Sequence, residues 1–285
     1  MIKRLIISTY LLLLLDRVYA QPATEIVLFD ITMGTTAFTA TNGVNISAHT
    51  GYDNQPFFHP DKPILYYTSA NEAGNTEIVQ YDYVSKQKVI LTKTPDNEYS
   101  PTVTPDKRFI SCIVLRENDK QDVVKYPIDG GRPTTIIDNL TVGYHAWLND
   151  STLMLYVLGE PNTLRRYDIA TKSDKILATN IGRSLHRFPN RSGVSFVQKT
   201  KDDNWIVSWT DGVDSRFIAH TLPGREDLAW TSDQWLVMSD GKAIFVLQAG
   251  KEWVKIEIQS AYPLKNISRI AVDVKTKKLA VVTDE

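Results

Sequence analysis

The residues able to do chemistry in this 285-residue chain are few: five histidines, one cysteine and 33 carboxylates. Their spacing excludes several compact catalytic motifs. There is no Gly-x-Ser-x-Gly elbow for acyl transfer, and no Gly-x-Gly-x-x-Gly turn or phosphate loop. Acidic residues do not fall at EF-hand spacing. Cys112 stands alone in an alternating apolar stretch, FISCIVL, and reads as a buried, inert thiol rather than a nucleophile. The histidines say more. His145 and His186 each sit in a short polar segment ahead of an apolar run, and Asp53, Glu98 and Asp227 occupy comparable segments. Two imidazoles with a carboxylate suit Zn, Mn or Fe. Glu98 or Asp227 would then act as general base in a metal-dependent lyase or hydrolase acting on a polar saccharide or peptide. The same residues also suit a metal-free polar pocket, or plain packing of a wall.

These segments are positioned by an internal repeat. Aligned on the residue four before each apolar run, Phe58, Val103, Trp147, Phe188, Trp230 and Val272 recur at spacings of 45, 44, 41, 42 and 42 residues. After each of the first five comes a period-two alternation broken by Asp, Gly or Lys, over 77–92, 122–137, 163–178, 205–220 and 243–258. That is a hairpin pattern. Two hairpins in about 42 residues is the size of a propeller blade. The sixth unit stops after two strands, and EIVLFDITMGTTAFTA (25–40) has the form of the missing hairpin. The expected fold is an all-β, six-bladed propeller with four-stranded antiparallel blades. Its N-terminal strands complete the last blade and close the ring, so no sheet edge is left open.

In such a ring the innermost strands line a channel, and the polar lead-ins converge at one mouth. Its expected lining is Asp53, Asn54, Glu98, Tyr99, Tyr144, His145, Arg183, His186, Glu226, Asp227 and Arg269. His145 and His186 share one repeat position in adjacent blades, where the first two blades carry Pro56 and Pro101. They are the candidate metal ligands. Mixed guanidinium and carboxylate groups suit a zwitterionic or polar target such as a peptide terminus or a cell-wall fragment, and that needs no cofactor. His49 would reach the same mouth. His59, in a turn, and His220, on an outer strand, are expected at the surface. Asp61, Asp106, Asp150 and Asp233 are turn residues whose carboxylates bond their own backbone. Trp147 and Trp230 are expected between blades rather than as a stacking platform.

Composition bounds the rest. A net charge of -1 gives no electrostatic reason to expect nucleic acid or an anionic membrane. Lys3 and Arg4, the apolar run 5–15 and Val18-Tyr19-Ala20 read as a signal peptide cleaved after Ala20. The run is about half the ~20 residues a membrane span needs. A periplasmic or secreted, monomeric domain over 21–285 is expected, with no stable membrane anchor. Five Asn-x-Ser/Thr sequons, at Asn45, Asn139, Asn149, Asn190 and Asn266, are read as chance in an Asn- and Thr-rich chain.

SPTVTPDKRFI (100–110) and QPFFHPDKPIL (55–65) resemble the Ser-Pro-x-x-Ser-Pro-Asp-Gly-x-x-Ile mark of the TolB-like, PD40-repeat propellers; the later repeats are degenerate. GYDNQPFFHPD, EYSPTVTPD, GYHAW, GRSLHR and EDLAW are similar to one group of exported bacterial TolB-like proteins that implies no particular reaction. The family's namesake binds a peptidoglycan-associated lipoprotein and colicin translocation segments. The resemblance therefore implies a binding module whose partner is an envelope protein, a peptide, or a polar small molecule or glycan. Oligogalacturonate lyases also use such a propeller with a His-rich manganese site, but their motif does not map residue by residue onto this sequence.

Overall fold

The computed structural model describes residues 21–34, 38–248, 250–273, 275 and 277–285; the expected leader lies outside the described residues. Strands β1 (Thr24–Met33) and β2 (Phe38–Asn45) open the chain. The first complete blade follows as β3 (Asp53–Phe58), β4 (Ile64–Ala70), β5 (Thr76–Asp82) and β6 (Gln87–Ile90). Blade 2 comprises β7 (Asn97–Val103), β8 (Phe109–Leu115), β9 (Gln121–Pro127) and β10 (Thr134–Ile137). Blade 3 is β11 (Val142–Asn149), β12 (Thr152–Val157), β13 (Thr163–Asp168) and β14 (Ser173–Thr179). In blade 4 the strands are β15 (His186–Arg187), β16 (Val194–Gln198), β17 (Ile206–Thr210) and β18 (Ser215–His220). Blade 5 holds β19 (Leu228–Trp230), β20 (Leu236–Ser239), β21 (Ile244–Leu247) and β22 (Val254–Lys255). After β23 (Glu257–Ser260) come β24 (Arg269–Asp273) and β25 (Lys278–Asp284).

Each complete blade is an antiparallel meander, and the first strands β3, β7, β11, β15, β19 and β24 surround the channel. Blade 6 is assembled from both ends of the chain. β1 pairs antiparallel with β25 from Thr24↔Asp284 to Asp30↔Lys278, and β2 pairs with β1 outside it. The expected ring closure is therefore present. One departure concerns the stretch 243–258, which does not finish as a simple hairpin. Its end continues into β23, which leaves blade 5 and pairs in parallel with β2 as a fifth strand of blade 6. That extra strand covers the outer edge at the seam, where an exposed row of backbone groups would invite pairing with another chain.

The core lies between blades, in six apolar layers, one at each blade boundary. This explains why the inner strands read as near-continuous apolar runs: both faces of each sheet are covered. In β1, Ile26 and Leu28 enter the layer against blade 1, whereas Val27, Phe29 and Ile31 enter the layer against blade 5. Fully burying a side chain such as Phe29 stabilises by about 1.5–3 kcal/mol. Cys112 is buried in the blade 1–2 layer, as expected.

Two expectations about turns need correction. His59 is not at the surface: it is 2% exposed, and its Nδ1 accepts from the backbone N–H groups of Asp61 (3.0 Å) and Lys62 (3.1 Å). An imidazole acceptor can close a tight turn as a carboxylate does, and burial with the nearby lysine cations keeps it neutral, its pKa below the ordinary histidine value. Asp61 is thereby released from capping its own turn and bonds Lys107 of blade 2 and Lys275 of blade 6 instead. Asp106 does behave as expected, accepting from Arg108 N at 3.1 Å.

Candidate functional site

The lead-ins do not simply run into straight strands. Gln55 and Ser100 have φ of 57° and 55°, at the same repeat position in blades 1 and 2, each just before a proline. Register shifts fall at the same places, between Asn54 and Phe57 and between Tyr99 and Thr102. A left-handed residue ahead of proline is unfavourable, and such strain persists only where surrounding contacts fix it. Here Gln55 Oε1 supplies them, accepting from Ser100 N (2.7 Å) and Thr68 Oγ1 (2.9 Å). The bulges set Gln55 and Ser100 into the channel wall.

All six blades contribute to a central cavity of about 90 Å³, lined among others by Gln55, Ser100, Tyr144, His145, Arg183, His186, Asp227 and Arg269. On the lead-in side it meets a funnel of about 540 Å³ whose wall includes Tyr52, Asn54, Tyr99, Tyr144, Arg183, Ser268 and Arg269. On the other side an opening of about 760 Å³ is walled by Phe58, His59, Phe188, Arg191, Trp230 and Lys275. The channel thus has a polar end and a largely aromatic end.

At the polar throat, Arg183 Nη2 donates to Asp227 Oδ2 at 2.7 Å, and Arg269 Nη1 lies 3.7 Å from Asp227 Oδ1. Arg269 Nη2 donates to Tyr144 Oη at 2.7 Å, with the guanidinium also over the Tyr144 ring. Glu226 accepts from Lys199 Nζ (2.9 Å) and from the backbone N–H of Arg183 (3.0 Å). Gly182 makes that approach possible, since a Cβ there would sit 2.9 Å from Glu226 Oε2. Burial works against the Arg183 charge, but Asp227, with Tyr144 and Glu226, more than offsets it and holds its pKa above the ordinary arginine value.

His145 and His186 both line the central cavity, yet each is turned onto a serine. His145 Nε2 lies 2.7 Å from Ser111 Oγ, and His186 Nε2 lies 2.9 Å from Ser184 Oγ. Desolvation lowers both pKa values to about 4, so both rings are neutral near pH 7. Four buried polar atoms around this throat make no hydrogen bond among the described residues: Ser100 Oγ, His145 Nδ1, Arg183 Nε (3.6 Å from Glu226 Oε1) and Ser268 Oγ.

Two of the residues expected at the mouth face elsewhere. Glu98 is fully buried beside the blade 1–2 layer, its Oε1 accepting from Thr94 Oγ1 (2.6 Å) and Tyr126 Oη (3.0 Å). Desolvation raises its pKa to about 7. Asp53 is also buried, with Oδ2 3.6 Å from Nδ1 of His49, and burial raises its pKa to about 6. Neither lines the cavities described above, and His49 accompanies Asp53 rather than the channel. The other nine residues border the channel, its funnel or the adjoining recess that holds Glu226. Ser111 on β8 and Lys199 just past the end of β16 lie away from the lead-ins and carry no signal in the sequence, which also gives no sign of the aromatic opening as a second end.

No protein-family model matches the sequence, and no curated protein matches it. Solved structures do. A putative TolB from Agrobacterium tumefaciens superposes with a TM-score of 0.69 at 12% identity, over 93% of this chain and 99% of that one. TolB from Acinetobacter baumannii gives 0.58 at 13% identity over 93% of this chain, which spans 64% of the length of that protein. The fold is that of the TolB-like six-bladed propellers. An oligogalacturonate lyase in complex with manganese also matches, with a TM-score of 0.57 at 13% identity, over 93% of this chain and 98% of that one. A resident divalent cation does not fit the residues of this channel. Among the described residues no three His, Cys, Asp or Glu side chains stand together as a ligand set. Both imidazoles spend Nε2 on serines, and two guanidiniums border the same cavity and would repel a cation. No helix among the described residues is long and apolar enough to cross a membrane.

Proposed function

We propose that this protein is an exported binding module that takes a polar ligand into the funnel on the lead-in side of its propeller. The ligand is the end of a peptide or glycan, a small polar molecule, or a segment of an envelope protein. The observation that carries this reading is the set of four buried polar atoms without a hydrogen bond, contributed by four different blades, at one throat. Leaving a buried polar group unsatisfied costs about 1–3 kcal/mol. A fold that keeps four of them around one cavity is organised for something polar to fill it. Export is supported by the sequence of residues 1–20. The likeness to TolB proteins supports the scaffold and does not identify the ligand.

An enzymatic role has less support. The carboxylates with raised pKa, Glu98 and Asp53, lie in the walls away from the cavity, where no substrate proton is within reach. Asp227 is already committed to Arg183.

A thermal-shift screen of the purified protein against short peptides, cell-wall fragments, pectic sugars and divalent metals tests the reading. A ligand that binds only the native state raises the melting temperature by mass action. A rise with a peptide or glycan that survives chelator supports a binding module. A rise with one metal that is abolished by His145→Ala/His186→Ala would overturn it in favour of the metal enzyme.

A further inference from the structure

We infer that the ligand taken at this throat carries a carboxylate, gripped jointly by Arg183 and Arg269; the inference rests on the binding reading above. The ion-pair network at the throat does not balance. Arg183, Arg269 and Lys199 meet two carboxylates, Glu226 and Asp227, and one positive charge is left over. Asp284, the other carboxylate bordering the funnel, lies outside that network and accepts from Asn266 Nδ2 at 3.2 Å. The two histidines of the cavity are neutral and do not alter that count.

The donors are unspent as well as the charge. A guanidinium has five N–H groups in a fixed plane. Among the described residues, the side chain of Arg269 makes one hydrogen bond, to Tyr144 Oη, and its 3.7 Å approach to Asp227 is too long to be a second. That arginine is only 15% exposed. Arg183 makes one, to Asp227, and its Nε makes none, lying 3.6 Å from Glu226 Oε1. Both guanidiniums border the central cavity and the funnel, so they present donors to the same space from blades 4 and 6. Paired N–H donors match the two oxygens of a carboxylate. Tyr144 Oη accepts from Arg269, which leaves its own O–H to donate to a ligand oxygen.

Size and charge select among anions. The cavity of about 90 Å³ has room for a group the size of roughly three waters, enough for a carboxylate and its nearest carbon atoms. A phosphate monoester would bring about two negative charges against the single excess one. The remainder of the ligand would lie in the funnel, where Tyr52 and Tyr99 meet edge to face with ring centroids 6.4 Å apart. A peptide C-terminus and a uronic acid share this chemistry.

The test is isothermal titration calorimetry of the purified protein with two matched pairs. One is acetyl-Tyr-Gly-Ala as free acid and as amide; the other is trigalacturonate and its methyl ester. The acid of at least one pair should bind, with its neutral partner weaker by about tenfold or more, the effect of losing a hydrogen-bonded charge. Arg269→Gln should bring the acid down to the level of the neutral partner, and its melting temperature checks that it folds. Tyr144→Phe, a smaller change, should weaken the acid alone by several-fold. Which pair responds distinguishes peptide from glycan. Equal binding of acid and neutral partner would overturn the carboxylate inference and leave the binding reading standing. If no member of either pair binds the folded protein, both are overturned.

Discussion

The indole N–H of Trp147, on blade 3, donates to Ser111 Oγ of blade 2 at 2.8 Å. The same hydroxyl lies 2.7 Å from His145 Nε2 and 3.1 Å from the carbonyl of Thr102. Trp230 repeats the relationship two boundaries further round the ring, donating to Ser195 Oγ at 2.7 Å from blade 5 to blade 4. The repeated tryptophan therefore packs between blades and also latches one blade to the preceding one. In blades 2 and 3 the latch fixes a channel histidine. If Ser111 donates to Thr102, it accepts from Trp147 and from His145 Nε2–H, and Nδ1 is left as an acceptor.

Ser111→Ala leaves a buried indole N–H and an imidazole nitrogen without their partner. It should destabilise the fold by about 1–3 kcal/mol, read from urea unfolding midpoints at constant slope. A change within experimental error would mean that water replaces the hydroxyl and that the latch does not contribute.

Much of this was legible in the sequence, for reasons that differ by element. The repeat at Phe58, Val103, Trp147, Phe188, Trp230 and Val272 announced the blades, because apolar residues on both faces and polar turns are what a sheet between two sheets requires. Ring closure followed from two incomplete ends. The facing of individual lead-in residues was not legible. Alternation places neighbours on opposite faces, but the bulges at Gln55 and Ser100 shift the register by a residue. Just ahead of those bulges, Asp53 and Glu98 turn into the walls while their neighbours Asn54 and Tyr99 border the funnel. The turn position of His59 suggests exposure, yet the ring is buried. Nothing in a single sequence shows that an imidazole there replaces a capping carboxylate.

Glu98 should make stability fall as pH rises. Its pKa is about 7 in the fold against an ordinary 4.5, through burial. The advantage of keeping it neutral is fully present below pH 4.5 and is lost as pH rises through 7. The span corresponds to a contribution on the order of 3 kcal/mol. Glu98→Gln keeps an acceptor for Thr94 and Tyr126 and cannot ionise. The variant should therefore gain on the natural protein between pH 5 and 8 in denaturant titrations. Parallel pH profiles for the two proteins would show that Glu98 ionises freely.

Ring closure makes β1 the strand most costly to lose. It lies between β25 and β2 and supplies fully buried side chains to two layers. Removing residues 21–45 should uncover the edge of β25 and give aggregated protein on size exclusion. A well-folded monomer from that truncation would sink the closure argument. Phe29→Ala is the milder form of the same experiment and should cost about 3–5 kcal/mol.

The channel histidines should act in the opposite direction to Glu98. Burial lowers the pKa values of His145 and His186 to about 4 from an ordinary 6.5. Stability that depends on their neutral rings is complete above pH 6.5 and is lost as pH falls toward 4, by an amount on the order of 3 kcal/mol for His145. Between pH 4.5 and 6.5 this loss runs against the gain from protonating Glu98, so the natural protein should show a shallow profile there that conceals both. His145→Gln/His186→Gln removes the acid-side loss and should unmask a steeper rise in stability on acidification. Because the imidazoles are turned onto serines and two arginines border the same cavity, neither manganese, zinc nor chelator should move the melting temperature of the natural protein. A metal-dependent rise that disappears in the glutamine variant would show instead that the histidines can turn away from Ser111 and Ser184 to bind metal. The acid limb would then belong to metal release.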